Sequence, residues 1–248
     1  MTNFSKPFGT LLFLAVLTSG AANAEWRVDV EAAAVWADHN DVQVPNDEQG
    51  DRFDIADFGK GPYPTARFAI AWRPWERHEF QLVLAPLAYS EEGSFDQDVR
   101  FAGATYQAGE TVDVDYKFNS YRLRYLYTLV DNERWGFELG GTLFVRDAKI
   151  RLSQNGTSSE DSDIGFVPLL ALKTRYAFNP EWSLVLDADM AAAPQGRAID
   201  LFLSLRRQFN NGWELGAGYR TIEGGADNDS VYTFAWFNAA VLQASYSW

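Results

Sequence analysis

Acidic residues and one histidine are the clearest candidates for hydrolytic chemistry in this sequence. Asp38, His39 and Asp41 stand together in the stretch "ADHNDV", and Asp187 and Asp189 stand two positions apart in "LVLDADM". A carboxylate and an imidazole can act as general bases and activate a water molecule. Such chemistry requires that the segments carrying these groups meet in the fold.

Ten segments of alternating polarity fill the sequence after residue 24. In "SYRLRYLYTL", apolar or aromatic side chains recur at every second position, and Arg122 and Arg124 stand between them. A period of two residues is that of a β-strand with one apolar and one polar face. The other nine segments show the same alternation. The ten segments start near residues 25, 65, 78, 120, 135, 164, 182, 198, 213 and 231.

The connections between these segments differ in length in a regular way. Four are very short, namely "PWER", "DNER", "NPE" and "NNG", and they follow the second, fourth, sixth and eighth segments. The others are longer, apart from a compact "AAPQG" before the eighth segment. Short turns at one rim and long loops at the other are typical of outer-membrane barrels. We predict an all-β fold, a ten-stranded antiparallel transmembrane β-barrel, with periplasmic termini and extracellular long loops.

Aromatic residues distinguish this barrel from a soluble barrel, whose apolar face would point inward. Tryptophans stand at the short-turn end of the segments, most of them on the apolar face. Aromatic rings at one level are expected at a membrane–water interface. A soluble periplasmic barrel is the alternative. The predicted periplasmic aromatic girdle comprises Trp26, Trp72, Trp135, Trp182, Trp213 and Trp248.

Residues 1–24 are predicted to be a cleaved signal peptide. One lysine precedes an apolar run at residues 8–17, and the segment ends in "ANA", an A-x-A cleavage pattern. The apolar run is shorter than the roughly 20 residues that a membrane-spanning helix needs. Residues 25–248 then form one outer-membrane β-barrel domain. The sequence has no cysteine, so disulfides and thiol chemistry are excluded.

The protein is acidic, with a net charge of −13 at pH 7. Nucleic-acid binding needs clustered lysine and arginine, so we expect no nucleic acid as a partner. The negative charge is concentrated in the long connections, where it forms a solvated outer surface or links to lipopolysaccharide through divalent cations. The expected partners are outer-membrane lipid, lipopolysaccharide and the barrel-assembly machinery. We expect a monomer with no cofactor and no metal.

The polar faces of the segments would line the lumen with charges of both signs. Barrels of about eight strands are filled by side chains, whereas open aqueous channels need about 16 strands. We therefore expect ion pairs to fill most of the lumen, and a structural or surface-interaction role. A narrow, weakly selective channel for small polar solutes or ions is the alternative. The candidate lumen or pore residues are Arg67, Arg73, Arg122, Arg124, Lys173, Arg175, Asp187, Asp189, Asp200, Arg206 and Arg220, accompanied by acidic residues such as Glu31, Glu79, Glu138 and Glu214.

Residues 99–118 show an alternation of their own. Its apolar parity, at Tyr116 and Phe118, differs from the parity that begins at Tyr121. A β-bulge adds one residue and resets the face of a strand. We predict a hairpin above the membrane plane, with a bulge near residues 119–120.

The sequence also resembles two groups of known proteins. Segments such as "FNSYRLRY", "AAPQGRA" and "YRTIEGGADND" look like those of a group of proteobacterial outer-membrane proteins. That resemblance implies location and fold and brings no assigned activity. The aspartate pair and the Asp38–His39 pair resemble the outer-rim site of the omptins, ten-stranded outer-membrane proteases, although the loops are shorter here. We expect no enzymatic activity, with an omptin-like rim hydrolase as the second alternative.

Overall fold

A computed structural model describes residues 24–194 and 196–248. The predicted signal peptide, apart from its last residue, lies outside the described residues. Strands dominate the structure, and one 3₁₀ turn spans Ile55–Asp57. In the part of the chain that the structure describes, no helix is both long and apolar enough to cross a membrane.

The described residues form fourteen strands. They are β1 (Glu25–Gln43), β2 (Phe53–Asp54), β3 (Tyr63–Trp75), β4 (His78–Ala85), β5 (Ala88–Ser94), β6 (Val99–Phe101), β7 (Ala104–Tyr106), β8 (Thr111–Asp131), β9 (Trp135–Gln154), β10 (Thr157–Ala177), β11 (Trp182–Ala193), β12 (Gly196–Gln208), β13 (Trp213–Asp227) and β14 (Tyr232–Ser247).

Eleven of these strands form the ten-stranded wall of a closed antiparallel barrel, because β4 and β5 together make one wall strand. The wall consists of β1, β3, β4 with its continuation β5, and β8 to β14 in chain order. Pairing of β14 with β1 closes the barrel. Of the remaining strands, β2 pairs with the outer end of β1, and β6 and β7 pair with each other. The predicted ten-stranded antiparallel barrel is therefore confirmed.

Alternation along each strand decides which side chains face outward. On β8, Arg122 and Arg124 are buried inside the barrel, whereas Tyr121 and Leu123 are exposed on the outside, Leu123 by 52%. A continuous band of exposed apolar side chains is unfavourable in water and is stabilised by contact with hydrocarbon. Apolar residues outside and charged residues inside are the arrangement of a membrane barrel rather than of a soluble one.

Aromatic side chains surround the short-turn end of the barrel. Trp26 stacks on Trp72, and Trp248 stacks on Tyr246, each with ring centroids 5.9 Å apart. Backbone hydrogen bonds of 3.0 Å run in both directions between Trp26 and Trp248, so the C-terminal residue is part of the closed wall. The members of the predicted girdle that are exposed on the outer face are Trp72, Trp135, Trp182, Trp213 and Trp248.

Asparagine side chains stabilise the short turns at this end. Asn132 Oδ1 accepts a hydrogen bond of 2.9 Å from the backbone N–H of Trp135. Asn179 Oδ1 accepts a bond of the same length from the backbone N–H of Trp182. Bonds of this kind satisfy backbone groups that the strand pairing leaves free, and they explain why three or four residues suffice for these two turns.

The course of β8 corrects one expectation. β8 keeps a single register with β9 from Asp113 to Thr128, and its register shift lies just beyond Thr128. The bulge predicted near Asn119 and Ser120 is therefore wrong. Tyr116 and Ser120 face the same side, the inside of the barrel. The parity of the apolar residues changes because the surroundings of the strand change from lipid to water, whereas the strand itself does not turn over.

Beyond the membrane, the barrel has an apolar core like that of a soluble protein. Val114 on β8 and Leu152 on β9 are fully buried, as are Phe101 and Tyr106 on the β6–β7 hairpin. Phe53 packs edge-on against Phe101 with ring centroids 5.7 Å apart. Within residues 99–118, where a hairpin is predicted, β6 and β7 form a hairpin that packs onto this core, and the start of β8 pairs with β5.

Candidate functional site: the charge layer and the outer cavity

Asp200 on β12 is the centre of one group of ion pairs in the lumen. Its carboxylate accepts hydrogen bonds from Arg220 at 2.7 Å and from Arg67 at 3.2 Å, and it lies 2.8 Å from Arg122. Arg220 also binds Glu31 on β1. β3 and β8, which carry Arg67 and Arg122, are each four strands away from β12 in the ten-stranded wall. These pairs therefore cross the lumen.

Asp189 on β11 joins a second group. Its two oxygens accept hydrogen bonds from Arg122 at 2.7 Å, Arg124 at 3.1 Å and the hydroxyl of Thr142 at 2.8 Å. Arg124 also binds Asp187. Arginines and aspartates that are two residues apart point to the same side of their strands, so two arginines on β8 face two aspartates on β11.

Glu79 on β4 is the centre of a third group. Arg27 donates to its two oxygens at 3.1 and 3.2 Å, and Arg73 donates at 2.8 Å. Arg73 also binds Glu138 at 3.1 Å, and Lys173 lies 3.7 Å from Glu138. Since Arg27, Arg73, Glu138 and Lys173 stand on four different strands, this group also joins distant parts of the wall.

We call the side chains of these lumen ion pairs the charge layer. Burial of an unpaired charge is costly, whereas a charge that is paired and hydrogen-bonded is tolerated. The ion pairs of the layer join eight basic and eight acidic residues, so the layer has no net charge. Its members are Arg27, Arg67, Arg73, Arg122, Arg124, Lys173, Arg206 and Arg220, with Asp29, Glu31, Glu79, Glu138, Asp187, Asp189, Asp200 and Glu214.

A cavity of about 850 Å³ lies on the outer side of the charge layer. Arg122, Asp189 and Asp200 line its inner end, and Phe118 and Phe144 line one wall. The volume falls within the range of roughly 300–1,000 Å³ that is usual for small-molecule sites. We call this space the outer cavity.

Small side chains on β10 to β13 leave the space that the outer cavity occupies. Large side chains such as Tyr116 and Phe118 on β8 and Phe144 on β9 line the cavity on one side, whereas glycine and alanine stand at many inward positions of the facing strands. A wall of small residues opposite a wall of large ones makes room for a ligand without weakening the strand pairing. The small residues that line the cavity at inward positions are Gly165, Ala191, Ala193, Ala198, Gly224 and Ala226.

Charged side chains stand at the outer part of the cavity. Arg146 binds Asp163, and Arg197 binds Glu223. Asp161 also lines the cavity, and it has no hydrogen-bond or ion-pair partner among the described residues. Partial burial, together with the neighbouring Asp163, raises the pKa of Asp161 above its usual value.

Ten of the eleven lumen or pore candidates predicted from the sequence lie in the charge layer. The exception is Arg175, which pairs with Asp131 at 3.2 Å in an exposed position beside a short turn. Sequence reasoning missed the hydroxyl partners, such as Ser120, which accepts a hydrogen bond of 3.0 Å from Arg122. The only signal for Ser120 was its inward place in the alternation.

The structure does not bring the hydrolase candidates together. His39 lies 3.7 Å from Asp38 and packs edge-on against Trp236, which is exposed on the outer face. Asp187 and Asp189 instead face the lumen and bind arginines of the charge layer. Within the described residues, no group of three or more His, Cys, Asp and Glu side chains is placed to hold a metal ion.

Solved structures with the same architecture come from bacterial outer membranes. The outer membrane protease OmpT of Escherichia coli matches 90% of this chain and 97% of its own length, with a TM-score of 0.55 and 10% identity. This chain has the fold of an outer-membrane β-barrel. Ail, the attachment invasion locus protein of Yersinia pestis, matches 92% of the barrel protein and 100% of its own length, with a TM-score of 0.44 and 13% identity.

Identities this low describe the fold of the barrel protein and carry no information on its activity. No protein-family model matches the barrel protein, and no curated protein matches its sequence. Its function must therefore be inferred from the charge layer, the outer cavity and the loops.

Proposed function

We propose that this protein is a non-conducting barrel that acts at the bacterial cell surface through its outer cavity and acidic loops. The long loops are extracellular and both termini are periplasmic. The charge layer carries this proposal, because its paired side chains come from opposite sides of the wall and are buried. Asp189 and Asp200, at the centre of the lumen, are only 3% and 5% exposed.

The charge layer disfavours a narrow, weakly selective channel. Conduction requires groups that bind an ion weakly enough to release it. Asp200 is instead held by three arginines, and Arg122 is held by two aspartates. An ion could pass only by separating these pairs, which would leave buried charges without partners.

Single-channel recording of the refolded protein in planar bilayers tests this function. Folded wild-type protein should give no conductance steps. Arg122→Ser combined with Asp189→Ser removes one charge of each sign from the middle of the layer and should produce steps. The matched control, Arg175→Ser with Asp131→Ser, removes an exposed pair and should stay silent. Wild-type steps that change with the first variant would overturn the proposal and identify a channel.

The surface of the barrel supports the partners expected from the sequence. The exposed apolar band and the girdle suit contact with outer-membrane lipid. The acidic loops suit contact with lipopolysaccharide through divalent cations. Insertion by the barrel-assembly machinery, a monomeric state and the absence of enzymatic activity complete the proposed function.

A further inference from the structure

The wall of the barrel is interrupted between β10 and β11. The two strands pair from Leu170 with Met190 down to Ala177 with Ser183. β10 continues outward to Thr157 but pairs there only with β9. β11 continues to Ala193 but pairs there only with β12. The outer part of the wall therefore has a lateral gap between residues 157–169 and 191–193.

The lower end of the gap lies in the outer part of the apolar band, below the membrane surface. Tyr176 on β10 packs against Trp135 of the girdle, with ring centroids 4.8 Å apart. Phe166, ten residues further along β10, is 68% exposed on the outside. Ten residues of a tilted strand rise about 25 Å, the height of the apolar band of such barrels. Leu169, where the gap begins, lies about 18 Å above Tyr176, so the gap opens within the outer leaflet and continues past its surface.

The edge of β10 at the gap is unsuited to pairing with another strand. Pro168 has no N–H to donate. Glu160, Asp161 and Asp163 place charges along the same edge, and edge charges are a common protection against strand addition. The edge is therefore better suited to remain open than to accept a peptide strand.

The gap leads directly into the outer cavity. Val167 and Leu169 line the cavity on the β10 side, and Ala191 and Ala193 line it on the β11 side. A molecule in the outer leaflet could thus reach the cavity sideways, without first leaving the membrane surface. Such a route suits an amphiphile, because its apolar part stays in contact with lipid until it enters.

The chemistry of the cavity favours a cationic ligand with an apolar body. Phe118, Phe144 and Phe237 offer aromatic surface, which attracts hydrocarbon and organic cations alike. Asp161, near the gap, is the lining carboxylate without a hydrogen-bond or ion-pair partner among the described residues. Lys149 also lines the cavity without an ion pair there, but it stands at an outward position of β9, next to the inward Ile150. The acidic loops around the mouth would further concentrate cations at the cavity.

We propose that the outer cavity binds amphiphilic organic cations, which enter from the outer leaflet through the gap between β10 and β11; this rests on the function proposed for the cavity. The cationic head pairs with Asp161, and the apolar body lies against the aromatic wall. The charge layer closes the inner end, so the ligand is held at the surface rather than transported into the periplasm.

Calorimetric titration of the barrel in phosphatidylcholine nanodiscs tests binding, with protein-free nanodiscs as the baseline. Dodecyltrimethylammonium should bind, whereas tetramethylammonium, which lacks the chain, and dodecyl sulfate, which has the opposite charge, should bind at least about tenfold more weakly. Equal binding of dodecyl sulfate would overturn the charge preference. Equal binding of tetramethylammonium would overturn the role of the apolar wall.

Two single variants test whether the cationic head group pairs with Asp161. Asp161→Asn should weaken binding of dodecyltrimethylammonium about tenfold, which corresponds to the loss of about 1.4 kcal/mol. Glu160→Gln removes the same charge from the exposed position next to it and should leave binding unchanged. If both variants bind like the wild type, the assignment of Asp161 is wrong.

A reversible link across the gap tests the route of entry. Because the chain has no natural cysteine, Val167→Cys with Ala193→Cys can be joined selectively, directly or by a short dithiol-reactive linker. The association rate of a dansyl-labelled alkyltrimethylammonium, preloaded in liposomes, should fall about tenfold on linking through a disulfide and recover on reduction. Ala193→Trp, which narrows the gap without a link, should slow association in the same direction. An unchanged rate in both variants would overturn lateral entry.

The two proposals can fail separately. A wild-type barrel that conducts would overturn the proposed non-conducting function, whatever the calorimetry shows. A barrel that is silent in the bilayer and binds none of the three probes would overturn the cation site alone.

Discussion

Arg220 Nη2 lies 2.7 and 3.0 Å from the two carboxylate oxygens of Glu31, although β14 separates the strands that carry these residues. Their side chains are 9% and 12% exposed. Contacts of this kind hold the barrel together across its lumen, in addition to the hydrogen bonds between neighbouring strands.

Loss of Arg220 should destabilise the barrel strongly. Arg220→Leu leaves Glu31 buried without a partner and should lower the free energy of unfolding by about 3 kcal/mol or more. Arg220→Leu with Glu31→Leu removes both charges and should recover part of that loss. Urea unfolding in liposomes measures both values. Arg207→Leu, which breaks an exposed pair with Glu181, serves as the control and should change stability by less than about 1 kcal/mol. An equal loss in the single and double variants would contradict the pairing.

The apolar core beyond the membrane should unfold without unfolding the membrane-spanning wall. Phe101→Ala opens space in this core and should destabilise the loops by about 3–5 kcal/mol. Trypsin should then cleave faster at Arg100, whereas the gel shift between heated and unheated barrel should persist. Phe101→Leu keeps most of the volume and should lie between wild type and Phe101→Ala. Wild-type resistance of Phe101→Ala to trypsin would show that the core does not hold the loops.

The contact between the first two long loops should be lost at acidic pH. The Arg100 side chain, followed by its backbone N–H, donates hydrogen bonds to Asp51 and lowers the pKa of that carboxyl to about 2. Because the pKa is lowered on folding, the contact stabilises the loops at neutral pH and is lost as the pH falls from about 4 to about 2. Amide exchange at Arg100, followed over this range, should show the change. Asp51→Asn should abolish the dependence, and an identical profile in that variant would assign it to another group.

The C-terminal aromatic residue should contribute to insertion. Trp248 pairs with the backbone of Trp26 and stacks on Tyr246, so Trp248→Ala should lower stability by roughly 1–3 kcal/mol. The folded fraction after refolding into liposomes, read from the gel shift, should fall accordingly. Trp248→Phe keeps an aromatic ring at the interface and should refold nearly as well as the wild type. If Trp248→Ala also refolds fully, the ring makes no net contribution.

The alternation of side chains made the barrel and the inward faces of its strands predictable. Arg122 and Arg124 were assigned to the lumen because they alternate with Leu123 and Tyr125, and the structure places them there. Alternation identifies a face, but it cannot identify the partner across the lumen. That Arg122 would bind Asp189 and Asp200 depends on the stagger of strands three and four positions apart in the wall.

The outer part of the barrel was harder to predict, for two physical reasons. Val114 and Leu123 have similar hydropathy but opposite orientations, because water surrounds the strand at one height and lipid at the other. The gap beside Leu169 depends on where the pairing of two strands ends, and no single residue signals that end. The compact connection "AAPQG" after β11, beside the long β10, was the only hint in the sequence.

The balance of eight positive and eight negative side chains in the charge layer has an electrical consequence. A potential across a membrane acts on net charge with about 2.3 kcal/mol per charge for each 100 mV. A neutral layer experiences no net force in such a field, and the opposing forces on each ion pair are borne by a contact of about 3 Å. The charge layer as a whole therefore has no net charge for a membrane potential to move.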